Sequence, residues 1–465
     1  MKTKQALLIS IVCVSMLTLS CTSITPARAT FKLRPFTKVK LENGLQVMFI
    51  EDHSLPYVSL NLMLDAGANR DSLESSGLTN IVGELMRKGT SQRDAAAIAE
   101  ELDYIGADFG VSVDSDFTLI TASALSFHQN ALLQLFSEVA LQPRFAEAEV
   151  ARSKAHILAK LEEESDDADG FADRLMSSFL FKEHPYSLPI LGTKKGVSSV
   201  TRESVADYFR KFYIPNRSIL AVVGKFDSTF RAQVVTAFGV WKQRDAVPLR
   251  ELAFPAIKEN QIMLVDKKSA VQAQVRIGLQ GIRRNNSDYL VLKVANMILG
   301  GAFSSRLNDR VRDQLGLTYH IGSHFDAKKQ EGSFLVTTFT RTEKVREIIV
   351  ESLEILRAFH QKGVTEVEVA QAKALLKGNF PRSIETAEKL AFNMLHLQFN
   401  EMTEDYLANF LRDIERVSAQ DVNRAIQQYL DSSKVKVLVY GDAQAIAEKI
   451  QDLGKLEKAK ASDFQ

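Results

Sequence analysis

Arg312 and Tyr319 stand seven positions apart in the stretch Val311-Arg-Asp-Gln-Leu-Gly-Leu-Thr-Tyr319. A guanidinium is always charged and a phenol is a neutral donor, so such a pair offers two hydrogen-bond donors without any pKa tuning. Spacing alone reads more plainly, as a helix-end arginine in a surface ion pair and a tyrosine at the start of a strand. Other residues that carry chemistry are sparse. The eight histidines, His53, His128, His156, His184, His320, His324, His360 and His396, are scattered. Only His320 and His324 are close, in a segment that reads as a strand. There, residues four apart share a face at about 13 Å, too far to ligate one ion. The two cysteines, Cys13 and Cys21, both lie near the N-terminus, so the body has no disulfide and no thiol chemistry.

These residues must be positioned by a repeated unit. Val200–Phe209 followed by Ile219–Gly224 reads as a helix and a buried strand ending in glycine, and Val417–Asn423 followed by Val435–Gly441 repeats it. Val200 to Val417 and Gly224 to Gly441 are both 217 residues apart, and Val58 to Val275, each opening a strand, has the same offset. Val150 and Val369, both on helices, are 219 apart, as a small insertion would give. Each half mixes strands and helices, which makes the fold class α+β with two homologous domains. The expected boundaries are 1–29 for a leader, 30–245 and 246–455 for the domains, and 456–465 for a tail that frays. Within the first half, Leu78, Ile81, Val82, Leu85 and Met86 form one apolar stripe, which predicts a helix from Ser75 to Gly89. Asn80, Gly83, Glu84 and Arg87 fall on its opposite face.

Composition bounds the function. The chain has 465 residues, 45% apolar and 25% charged, with a net charge of +1. That is ordinary for a soluble globular protein and gives no broad electrostatic footprint for nucleic acid. Lys2 and Lys4 followed by the apolar run Ala6–Leu19 read as an export signal, too short to span a bilayer. Two exits compete. Ala27-Arg-Ala29 would leave Thr30 first, whereas Leu17-Thr-Leu-Ser-Cys21 resembles a lipoprotein box that would lipidate Cys21. Either exit places the protein outside the cytoplasm, in the periplasm, soluble or lipid-anchored, and no later run predicts a membrane span.

The segment Gly77-Leu-Thr-Asn-Ile-Val-Gly-Glu-Leu-Met-Arg-Lys-Gly-Thr90 resembles the zinc helix of the M16 (insulinase, pitrilysin and mitochondrial-processing-peptidase) family. That family carries H-x-x-E-H between a leading Gly-Leu and a trailing Gly-Thr. Here Asn80 and Glu84 stand at the histidine positions, Gly83 at the general base, and Lys160 at the third ligand. The run Leu299-Gly-Gly-Ala-Phe-Ser-Ser-Arg-Leu307, with Arg312 and Tyr319 after it, is similar to the family's substrate-contacting segment. The resemblance implies mostly antiparallel sheets with packed helices and a chain that lacks its own metal or other cofactor. It further implies that Arg312 and Tyr319 stabilise the oxyanion at the zinc site of a partner M16 subunit, within an exported heterodimer that degrades peptides. Arg306 is expected to pack or form a salt bridge. The alternative is a homodimeric peptide-binding chamber or an assembly scaffold.

Overall fold

The computed structural model describes residues 33–464. The leader, its two cleavage alternatives and Cys21 lie outside the described residues. The first sheet contains β1 (Thr37–Lys40), β2 (Gln46–Glu51), β3 (Tyr57–Leu64), β4 (Asp108–Val113), β5 (Thr118–Leu125) and β6 (Ser218–Gly224). The second contains β7 (Gln261–Asp266), β8 (Gln272–Gln280), β9 (Ile321–Asp326), β10 (Ser333–Arg341), β11 (Lys436–Gly441) and β12 (Lys455–Lys460). Strand order is β1-β2-β6-β3-β5-β4 in one and β12-β7-β11-β8-β10-β9 in the other. The halves therefore share a plan, except that the outer edge is filled by the first strand in one and the last in the other. Both sheets are mixed. β2 and β6 run parallel, as do β7 with β11 and β12, and the remaining pairs are antiparallel.

Register corrects one of the repeat offsets. Val58 stands opposite Gly224, but Val275 stands opposite Val439. The β3/β8 pair thus corresponds at 215 residues and β6/β11 at 217, so the second half holds two extra residues between these strands. The tail also differs from expectation. Residues 455–460 form β12 instead of fraying. Leu456 and Ala459 are half-buried while the intervening Lys and Glu side chains face water, a charge pattern suited to an edge strand.

The two halves exchange a helix. Helix Ala168–Phe181 belongs to the first half, yet Phe171, Leu175, Met176 and Phe179 pack on Met263, Val265, Leu438 and Tyr440 of the second sheet. Arg276, 1% exposed, ties the helix start through Asp169 at 2.7 Å and Asp173 at 2.6 Å. Buried Lys436 donates to the Phe179 carbonyl in its last turn at 2.6 Å, where cations suit the helix dipole. In return, helix Ala387–Phe399 of the second half lies on β6, β2 and β3.

The turn between β9 and β10 pins the halves together. Lys329 N donates to Asp116 Oδ2 at 2.9 Å, Gln330 N to the Tyr186 hydroxyl at 3.1 Å, and that hydroxyl to Asp116 Oδ1 at 2.6 Å. Buried Asp65 gathers Arg70, Arg217 and Lys329. Burial alone would raise its pKa, and these three cations hold it below the usual carboxylate range.

Candidate functional site

The helix framed by Gly77 and Gly89 is shorter than its apolar stripe predicts, running from Leu78 to Leu85. A 3-10 turn at Leu73–Ser75 precedes it, and Asp71 caps it from outside. The Asp71 carboxylate accepts from Gly77 N at 2.9 Å, Thr79 N at 3.1 Å and the Thr79 hydroxyl at 2.6 Å. Burial nevertheless pushes Asp71 up to about 7. Gly77 has φ +98, and a Cβ there would lie 2.9 Å from the Gly192 Cα, so the helix entry needs glycine twice over. After Leu85 the chain tightens into i→i+3 bonds, Met86 N to the Gly83 carbonyl and Lys88 N to the Leu85 carbonyl.

Three of the four degenerate positions have a clear environment. Gly83, expected on the open face, is buried, because β4 crosses there: a Cβ would stand 2.8 Å from Val113 Cγ2 and 3.5 Å from Val111 Cγ1. Valine side chains thus occupy the space a general base would need. Glu84 accepts a hydrogen bond from the buried Ser153 hydroxyl at 3.2 Å, which joins this helix to helix Glu147–Glu163. Lys160 is exposed on that second helix, and Asn80 is half-buried. An amide, a glycine, a carboxylate and an ammonium do not fit zinc, which takes imidazole, thiolate or carboxylate donors converging at about 2 Å. Among the described residues no group of three histidine, cysteine or acidic side chains converges on a metal position. His324 lies on β9, with His320 just before it and both exposed.

Arg312 and Tyr319 have the opposite setting. Helix Tyr289–Asn296 widens into π-helical turns at Met297–Gly301 and again at Asn308–Gln314, the second carrying Arg312. Its guanidinium lies 4.1 Å from the centre of the Phe303 ring, and its Nε is 3.8 Å from Asp313. Phe303 is 72% exposed and Tyr319 is 91% exposed. Among the described residues the Tyr319 hydroxyl has no hydrogen-bond partner. Its backbone neighbours are fixed, however. The Thr340 hydroxyl donates to the Leu317 carbonyl at 2.7 Å and the Thr338 hydroxyl to the His320 carbonyl at 2.8 Å. The phenol is therefore presented to solvent from a held strand entry. Arg306 makes a bidentate pair with Glu368 at 2.7 and 2.9 Å and donates to the Gly363 carbonyl, a structural role.

Neither Arg312 nor Tyr319 is joined to helix Leu78–Leu85 by a hydrogen bond or ion pair among the described residues. Sequence reading missed three participants: Phe303 beneath Arg312, Ser153 on Glu84, and the valines of β4. Phe303 alone carried a signal, as a large aromatic inside a Gly-Gly/Ser-Ser run.

Comparison with known proteins gives one family throughout. The family profile described as Insulinase (Peptidase family M16) matches residues 46–194, and the one described as Peptidase M16 inactive domain matches 199–376. A Bacillus subtilis protein named as an uncharacterized zinc protease, YmxG, is 26% identical over 76% of this chain and 85% of its own. A Helicobacter pylori protein named non-peptidase homolog YmxG is 24% identical over 83% of this chain and 89% of its own. The crystal structure of a peptidase M16 inactive domain from Pseudomonas fluorescens superposes with a TM-score of 0.81 at 25% identity, covering 88% of this chain and 98% of that one.

Proposed function

The chain belongs to the M16 peptidase family, and from that premise we propose that it is the non-catalytic subunit of an exported, two-chain M16 peptidase. A partner bearing H-x-x-E-H would hold zinc. This chain would form half of a peptide-degrading chamber and present Arg312 and Tyr319 to the partner's site. The observation that carries the reading is the contrast within one chain. The general-base position Gly83 is filled by packing, while Tyr319 stands exposed on a held backbone and Arg312, half-buried, stacks on the exposed Phe303 ring. The stacked guanidinium and the free phenol are two donors for a carbonyl oxygen that gains negative charge as water adds to it. Substrates are unfolded peptides. The outermost strand β4 offers an edge to which an extended peptide can add with little side-chain selectivity. No helix among the described residues is long and apolar enough to cross a membrane. Attachment would therefore fall to Cys21 lipidation, and the alternative cleavage before Thr30 would give a soluble periplasmic subunit.

The second reading, a homodimeric peptide-binding chamber or an assembly scaffold, is favoured by the relative named as a non-peptidase homolog. Peptide hydrolysis separates the two. The purified chain, a zinc-bearing M16 protein from the same source, and their mixture are assayed on one unfolded peptide. Activity confined to the mixture supports the two-chain enzyme. Equal activity of the partner alone and of the mixture leaves the scaffold.

A further inference from the structure

A cavity of about 480 Å³ lies between helices Tyr289–Asn296, Glu366–Ser383, Ala387–Phe399 and Asp405–Arg416, at the end of β9. Its wall is aromatic. Phe380 and Phe410 stack at 4.3 Å with 12° between their planes, and Phe392, 49% exposed, stands on its lining. Into this wall are set two cations. The Arg284 guanidinium is 4.0 Å from the centre of the Tyr289 ring and 4.9 Å from that of Tyr406. The Lys293 ammonium lies 5.8 Å from the Tyr289 ring and 5.6 Å from Phe410. Neither cation has a carboxylate within ion-pair distance among the described residues; Arg284 donates to Met402 Sδ at 3.4 Å and lies against the Tyr406 phenol. Asp326, which also lines the cavity, is engaged by Lys328 at 3.0 Å. His396 Nε2 is buried there without a hydrogen-bond partner among the described residues.

Two like charges sharing a half-closed apolar site are costly. Burial, and then the Arg284 charge, hold Lys293 below the usual lysine range, and burial likewise pushes the His396 imidazole down. The aromatic faces offset part of this cost. The one carboxylate on the lining, Asp326, is engaged by Lys328, so among the described residues no anion answers Arg284 and Lys293 beside the aromatic wall.

We propose that this cavity binds a carboxylate carrying an aromatic or branched apolar group, with Arg284 and Lys293 on the carboxylate and the Phe380–Phe410 wall on the side group. The free C-terminus of a peptide and a free aromatic acid share this chemistry. The inference does not depend on the two-chain reading above, because every residue in it belongs to this chain and lies outside the Arg312/Tyr319 segment.

The test is calorimetric titration of the full chain with four probes: N-acetylphenylalanine, its amide, and a hexapeptide ending in phenylalanine with a free or an amidated C-terminus. Each acid should bind at least about tenfold more tightly than its amide, as expected for a charge-assisted contact. Preference for the hexapeptide acid over N-acetylphenylalanine assigns a peptide terminus, and the reverse assigns a small acid. Lys293→Met should weaken acid binding about tenfold or more while leaving amide binding unchanged. Arg284→Gln provides a second variant if the first does not fold. Acid and amide binding alike, or neither binding at millimolar concentration, overturns the proposal, and both outcomes are read on the unmodified chain.

Discussion

The helix Leu78–Leu85 of the first half and the segment Ala302–His320 of the second carry the two candidate sites, and the chain has treated them in opposite ways. In the first, the space of the general base and one ligand position are taken up within the fold: Gly83 admits Val113, Glu84 takes the Ser153 hydroxyl, and Asp71 caps the helix entry beside them. In the second, Arg312 sits on an exposed phenylalanine and Tyr319 projects into solvent with no partner among the described residues. Packing explains Gly83 and Glu84 in the first region. It explains nothing about a 91% exposed tyrosine on a pinned backbone, which contributes little to this chain's own folding. The difference separates residues kept for stability from residues held out for something else.

Four changes would break or sharpen that contrast. The largest effect is expected from Arg312→Ala. In the mixture with a zinc-bearing partner it should lower kcat by about 10²-fold, the scale of one lost oxyanion donor, with an unchanged melting temperature. Next, Gly83→Glu should cost about 1–3 kcal/mol by overpacking against β4, measured by denaturant unfolding, and Val113→Ala should recover most of it. If Gly83→Glu is neutral, the first region is open rather than filled.

A third change concerns the cap. Burial raises folded Asp71 from 3.8 to about 7, so the folded state holds a proton that the unfolded chain has released. Its contribution is therefore complete below about pH 4 and lost as pH rises through about 7. Thermal melts across that range should show this fall in the wild type and a flatter profile in Asp71→Asn. The smallest effect belongs to Arg306→Met. Glu368 is partly buried, which alone would raise it, but Arg306 and Thr365 hold it at about 2. The stability this pair supplies is present above about pH 4.5 and fades as pH falls toward 2. After allowance for solvent screening its loss should cost about 1 kcal/mol by denaturant unfolding at neutral pH, with hydrolysis by the mixture unaffected.

Much of the architecture was legible because it is written in local periodicity. The two α+β halves, the buried strands ending at Gly224 and Gly441, and the apolar stripe on Leu78–Met86 all follow from spacing. The helix exchange was not legible. Phe171, Leu175 and Phe179 announce a buried face, but nothing in their spacing says that the face meets Leu438 and Tyr440 of the other half. Arg276 misleads for a related reason, since a strand arginine reads as exposed until Asp169 and Asp173 arrive from a distant helix. The tail was misjudged because charged residues signal solvent equally well in a frayed end and in an edge strand. At the candidate site the residue identities were readable, but the filling of the Gly83 position by Val113 was not, because β4 lies about thirty residues further along the chain.

The central claim is tested most directly by Arg312→Ala combined with Tyr319→Phe, assayed in mixture with the zinc-bearing partner. Association of the two chains and kcat are measured on the same samples. An intact complex whose kcat falls by 10²-fold or more is the predicted result. An intact complex with undiminished kcat would contradict the account and leave this chain as the wall of a chamber.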